Sequence, residues 1–263
     1  MIPYVIAVCH EKGGVAKTTT TLNLAASLVE RGNRTLMIDL DPQANLTASI
    51  ELGVEDTEFS IAEVLFAERN VESAVFASGL SGLDMIPSGA RLFTASRELH
   101  QIADYEFRLR TVLAEPCISG YDIVLLDCPP SLSSLTINAL TAADLLIIPT
   151  QCEYYSIQAL NDMFEAVNLI RQRTNPGLMY RLLVTMFDGR GTFHTRMFEQ
   201  LQGYFKNGLL QTRIGFDTKF REAQLAGQPI TIHAPQSRGA QHYRQLAEEL
   251  NIYVSTKSQT QAA

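Results

Sequence analysis

Four stretches constrain the fold more than anything else in the chain: residues 4–9 (YVIAVC), 34–40 (RTLMIDL), 121–127 (YDIVLLD) and 144–149 (DLLIIP). Each is a strand-length run rich in Val, Ile and Leu, with no polar alternation. Alternation would mark a strand with one wet face. A continuous run marks a strand buried on both faces, as in a parallel sheet covered by helices. Runs at 83–87 and 180–186 predict two more strands, and a short last one is expected near 209–214. Helical spacing fills the intervals. Leu22, Ala25, Ala26 and Val29 share one face of a helix predicted over 18–30 and ended by Gly32. Further helices are expected over 91–114, 132–142, 154–173, 192–205 and 237–250. The expected fold is therefore α/β: a mostly parallel, twisted sheet with helices on both faces. No repeat, low-complexity tract or linker divides the chain, so residues 1–254 read as one domain and 255–263 (STKSQTQAA) as a flexible polar tail.

Composition narrows the setting. With 263 residues, 46% hydrophobic and 19% charged, the chain has the balance of an ordinary soluble globular protein with a sizeable core. No apolar run is long enough to span a bilayer, and the first residues lack the layout of a signal peptide. The four cysteines show no CxxC spacing and the five histidines no metal spacing, so a cytoplasmic protein with reduced thiols is expected. The net charge of −7 conceals an asymmetry: residues 1–170 carry 9 Lys/Arg against 22 Asp/Glu, whereas 171–244 carry 11 against 4. Overall acidity therefore does not exclude a polyanionic partner.

The first strand runs into HEKGGVAKTT (10–19), where Gly13 and Gly14 precede Lys17 and Thr18 at the start of a helix. Glycines let backbone N–H groups converge on phosphate oxygens, and a helix N-terminus adds partial positive charge. Lys17 suits the β/γ-phosphates and the Thr18 hydroxyl suits Mg²⁺. Yet the pattern G-x-x-x-x-G-K-[ST] asks for glycine where Glu11 and Ala16 stand.

Lys12 reinterprets the loop. The run K-G-G-V-x-K-T-T resembles the deviant Walker A motif of the ParA/MinD family of P-loop ATPases. The resemblance implies a P-loop NTPase fold, ATP and Mg²⁺ as ligands, and slow hydrolysis of ATP to ADP and phosphate. It also implies that Lys12 crosses to the partner subunit's nucleotide in an ATP-dependent sandwich homodimer. Nucleotide contacts are implied for Gly13, Gly14, Val15, Ala16, Lys17, Thr18 and Thr19. Glu11 stands where the family often has glutamine. Ala16 departs from the family's usual glycine. A methyl there is harmless at negative φ but costs on the order of 1 kcal/mol or more in a left-handed conformation. Residues 38–43 (IDLDPQ) resemble the D-x-D-P-Q segment, which implies that Asp41 orients the attacking water and that Asp39 lies near the Mg²⁺ shell. Asp127, before Cys128-Pro129-Pro130, matches the Walker B carboxylate that holds Mg²⁺ through water. Such a set stabilises phosphoryl transfer mainly by positioned charge.

The likeness to ParA-type partition proteins extends through residues 127–131 (DCPPS), 136–144, 149–155, 185–190 and 237–240. Segment 214–218 (IGFDT) resembles the stretch that wraps the adenine, with Phe216 and Asp217 as candidates. In similar partition ATPases, basic residues matching Arg190 and Lys219 contact DNA, and Arg221 and Arg238 belong to the same positive region. A first strand so near Met1 leads us to expect no helix-turn-helix extension, so non-specific double-stranded DNA is the expected partner. The remaining implications are a ParB-like adaptor that stimulates hydrolysis, and a cytoplasmic, nucleoid-associated location. No membrane partner is expected, because the C-terminal stretch lacks the bulky apolar and basic residues of an amphipathic anchor. Three alternatives stay open: a ParA-like positioner of a protein cargo, a metabolic P-loop enzyme or iron–sulfur reductase component of the same fold, and an ATP-binding switch that hardly hydrolyses.

Overall fold

The apolar runs become the strands of one eight-stranded sheet in the computed structural model, which describes residues 2–50, 59–153 and 156–262. The strands are β1 (Tyr4–Val8), β2 (Thr35–Asp39), β3 (Phe76–Ala77), β4 (Leu83–Ile86), β5 (Ile123–Asp127), β6 (Leu145–Gln151), β7 (Met179–Phe187) and β8 (Leu209–Gly215). Their order across the sheet is β3-β4-β2-β5-β1-β6-β7-β8. Every pairing is parallel except that of the two-residue edge strand β3 with β4.

Both faces are buried, which is why the runs do not alternate. Tyr4, Ile6 and Val8 face one core together with Met37, Ile123, Leu125, Leu145 and Ile147. Val5 and Ala7 face the other with Leu36, Ile38, Val124 and Leu126. The helices, in chain order, begin with α1 (Lys17–Glu30), α2 (Asn45–Ala48), α3 (Ile61–Leu65), α4 (Leu92–Glu98), α5 (Arg108–Leu113) and α6 (Ser134–Ala142). They continue with α7 (Ser156–Arg173), α8 (Thr192–Phe205), α9 (Lys219–Leu225), α10 (Ile230–His233) and α11 (Arg238–Ala262). Helices α1 and α11 cover the first core through Leu24, Leu28, Tyr243, Leu246 and Leu250. Helices α3 to α8 cover the second.

Three differences from the sequence expectation have local causes. The helix expected over 91–114 is broken between α4 and α5 by two 3-10 turns, with Asp104 in the left-handed region at φ 53°. Helices α9 and α10 are short turns of helix separated by Gly227 and Pro229, too brief to show a period. The stretch beyond 254 continues α11 through Ala262, because nothing in its Ser, Thr, Lys, Gln and Ala residues stops a helix. Tyr154 and Tyr155, from the motif-bearing stretch 149–155, lie outside the described residues.

Candidate nucleotide site

The loop of residues 9–16 joins the buried end of β1 to α1 at the C-terminal edge of the sheet, where open α/β sheets bind ligands. Helix α1 starts without a side-chain cap and without an acidic residue in its first turn. Its leading N–H groups are thus left for an anion. Gly14 and Ala16 both sit in the left-handed region, at φ 75° and 69°. Two remote side chains pin the loop: Gln151 Nε2 donates to the Gly14 carbonyl (3.1 Å) and the Thr185 hydroxyl to the Val15 carbonyl (3.1 Å). Lys17 is buried, with Nζ 3.4 Å from the Lys12 carbonyl. His10, also buried, accepts the Lys12 N–H on Nδ1 (2.9 Å). Burial first, then the charges of Lys17 and Lys12, push the His10 imidazole down to about 4. It is therefore neutral at physiological pH, as an acceptor Nδ1 requires.

The three aspartates gather opposite the loop. Asp127 and Asp39 are cross-strand partners at the ends of β5 and β2, and both are fully buried. The Thr18 hydroxyl donates to Asp127 (2.7 Å), and the Thr21 hydroxyl lies 3.4 Å from its other oxygen. Burial, then the neighbouring Asp39 charge, raises the Asp127 carboxyl well above the usual carboxylate range. Asp39 is pushed up to about 6, again chiefly by burial. Two carboxylates stripped of water in this way favour a cation beside them. Among the described residues, no three His, Cys, Asp or Glu side chains form a group that could hold a metal by themselves. That donor set suits Mg²⁺, which keeps waters and phosphate oxygens in its shell and takes one or two protein ligands. Asp41, 6% exposed, accepts the Gln43 N–H (2.9 Å) and faces a cavity in front of the loop.

That cavity holds about 550 Å³, and its walls include Gly13, Gly14, Lys17, Thr18, Asp41 and Phe216. Its size suits a nucleotide. A family model described as an AAA domain matches residues 4–180. The sporulation initiation inhibitor protein Soj of Bacillus subtilis is 38% identical to the chain over 94% of this chain and 97% of Soj. The chromosome partitioning protein ParA of Myxococcus xanthus is 37% identical over 94% of this chain and 87% of that protein. The chain belongs to the ParA/MinD family of P-loop ATPases.

Solved structures share the fold. Cobyrinic acid a,c-diamide synthase from Mycobacterium smegmatis, with bound ATP analogue and magnesium, superposes with a TM-score of 0.82 and 32% identity, covering 94% of this chain and 93% of the other. A plasmid partition protein from Borrelia burgdorferi superposes with a TM-score of 0.73 and 27% identity, covering 97% of this chain and all of the other.

The remaining residues expected of a ParA/MinD-family site fall in different places. Val15 is buried, while Thr19 lines the cavity. Lys12 is exposed and paired with Glu153 of its own chain. Phe216 is 52% exposed at the cavity wall, where a planar base could stack. Asp217 also lines the cavity, but its two oxygens accept the N–H groups of Lys219 and Gly239 (3.0 Å each), fixing the starts of α9 and α11. Arg190 and Arg238 line a second concavity of about 730 Å³, together with Arg213 and His242. Gly215, Phe216 and Asp217 form part of both walls. Lys219 and Arg221 stand on α9 instead, Lys219 bound to Glu222 (2.6 Å) and Arg221 in the nucleotide cavity. Sequence reasoning missed His10, Thr47, Ser88, Gln151 and Glu153 as contributors. Only Gln151 and Glu153 lay inside a stretch that the family resemblance had marked.

Proposed function

We propose that this chain is a partition ATPase that works as an ATP-dependent homodimer on non-specific DNA. Its cofactors are ATP and Mg²⁺; the Mycobacterium smegmatis synthase holds an ATP analogue and magnesium. Residues 13–19 wrap the phosphates, and the Lys17 ammonium neutralises their charge. Thr18 and Asp127 would hold the metal, with Asp39 beside them. A metal held there would neutralise phosphate charge. Asp41 orients the attacking water from the cavity wall. Lys12 leaves Glu153 and reaches the partner subunit's nucleotide. The dimer lays Arg190, Arg238, Lys219 and Arg221 on DNA phosphates, and a ParB-like adaptor stimulates hydrolysis and release, which makes the protein cytoplasmic and nucleoid-associated.

The observation that carries this reading is the wall shared by the nucleotide cavity and the arginine-lined groove, Gly215 to Asp217. On this reading, nucleotide in one would act on the shape of the other through these residues. The test is DNA binding with ATP, with ADP and without nucleotide across a salt series. Binding should require ATP and vanish in Lys17→Ala, and the logarithm of its affinity should fall linearly with log salt. Binding that ignores salt or nucleotide would overturn the DNA reading. A second reading, a metabolic ATP-dependent enzyme, is favoured by the 32% identity to the diamide synthase. It requires turnover driven by a small metabolite, without stimulation by DNA.

A further inference from the structure

Three elements meet around the backbone of Asp41, two of them within eight residues of each other and the third more than forty positions further on. Asp39 ends β2, Thr47 lies in α2, and Ser88 follows β4. The Asp41 N–H donates to Asp39 Oδ1 (3.0 Å), and the Asp41 carbonyl accepts the Ser88 hydroxyl (2.8 Å). Asp39 Oδ2 accepts both the N–H (2.9 Å) and the hydroxyl (2.7 Å) of Thr47. The Thr47 hydroxyl in turn accepts the Ser88 N–H (2.9 Å). The circuit is closed: Asp41 is gripped at its N–H and at its carbonyl, and the two grips are joined through one hydroxyl. Asp39, Asp41 and Ser88 are all buried, so water cannot easily replace a lost partner.

We propose that Thr47 and Ser88 are positioning residues for hydrolysis, holding the Asp41 backbone so that its carboxylate meets the attacking water. The proposal rests on Asp41 orienting that water. Neither residue lines the nucleotide cavity, so their loss should act on the chemical step and leave ATP binding in place. Asp39 is the hub of this circuit, with both oxygens engaged by backbone and hydroxyl donors.

The test combines single-turnover hydrolysis of Mg²⁺-ATP, ATP affinity by titration of a fluorescent ATP analogue, and Tm, on Thr47→Val, Thr47→Ser, Ser88→Ala and Asp41→Ala. Thr47→Val keeps the shape but removes both bonds of the hydroxyl; Thr47→Ser restores them. Displacing a catalytic group by a fraction of an ångström to an ångström costs about ten- to a hundredfold in rate. We expect that loss in Thr47→Val and Ser88→Ala, ATP affinity within about twofold of wild type, and recovery in Thr47→Ser. Wild-type hydrolysis in Thr47→Val, an equal loss of ATP affinity, or no recovery in Thr47→Ser would each overturn the proposal. If Asp41→Ala itself hydrolyses normally, the water-orienting role of Asp41 falls and the proposal falls with it. An inactive Asp41→Ala beside a normal Thr47→Val removes the clamp alone.

Discussion

Lys12 Nζ lies 2.5 Å from a carboxylate oxygen of Glu153 in the same chain. The Gln151 amide oxygen is 3.5 Å from the same ammonium, so the end of β6 holds this side chain over its own loop. A Lys12 that serves a second subunit must first leave that pair. Both side chains are about half exposed, 44% and 52%, and such pairs are worth roughly 0–1 kcal/mol. Glu153→Gln should therefore tighten ATP-dependent dimerisation by up to about fivefold. Lys12→Ala should abolish the dimer while leaving ATP binding intact. Sedimentation velocity with a slowly hydrolysed ATP analogue measures both. A normal dimer in Lys12→Ala would remove the residue from the interface.

Ala16 is the loop's one departure from the family pattern, and its φ of 69° decides what the methyl does. An L-residue in the left-handed region carries a penalty of roughly 1–2 kcal/mol that glycine avoids, partly offset by the greater freedom of glycine when unfolded. Ala16→Gly should raise the Tm by a few degrees. Ala16→Val, whose branched side chain tolerates positive φ worse, should lower it and weaken ATP binding. Thermal melts with and without ATP decide this; a stabilised Ala16→Val would show that the loop is not strained at this position.

These cases mark where the sequence could be read and where it could not. The two-faced burial of β1, β2 and β5 was legible in YVIAVC, RTLMIDL and DIVLLD, because each residue's burial is encoded in its own apolarity. Thr18 and Asp127 were legible as family motif residues, although 109 positions separate them. The strain at Ala16 was not, since φ is set by how the loop is pinned from Gln151 and Thr185. Ser88 gave no signal either: its partners, Thr47 and the Asp41 carbonyl, lie 41 and 47 positions away, and a hydrogen bond between ordinary polar residues leaves no local pattern. Likewise the groove formed by Arg190 and Arg238 needed the fold, whereas the charge asymmetry behind it was countable.

His10 gives the loop a pH dependence. Its folded pKa is pushed down to about 4 from 6.5, so the unfolded chain binds the proton between those values. Its contribution to stability is thus complete above about 6.5 and is lost as the pH falls toward 4. Asp39 runs the opposite way. Raised to about 6 from 3.8, it binds its proton in the folded state and gains as the pH falls over that interval. The two offset each other in the wild type, and His10→Asn removes only the first. The difference in Tm between wild type and His10→Asn should therefore shrink as the pH falls from 6.5 to 4. A gap that stays constant over this range would show that His10 is not held neutral by the fold.

The groove arginines should not contribute equally to DNA binding. Arg190 makes a two-point contact with Asp188, Nε to Oδ1 at 2.8 Å and Nη2 to Oδ2 at 2.6 Å. That contact, with the Arg190 N–H, holds the Asp188 carboxyl well below the usual carboxylate range. Arg238 lines the same groove and makes no ion pair among the described residues. A phosphate must displace Asp188 to reach Arg190, whereas Arg238 has no ion pair among the described residues to give up. Arg238→Ala should weaken binding of mixed-sequence duplex uniformly and reduce the salt slope by about 1. Arg190→Ala should do the same to a smaller extent. Asp188→Ala, by removing the competing carboxylate and a like charge from the path of the duplex, should strengthen binding. Fluorescence anisotropy over a salt series with ATP present ranks the three variants. Weaker binding in Asp188→Ala would mean that the Arg190–Asp188 pair shapes the groove for DNA and does not compete with it.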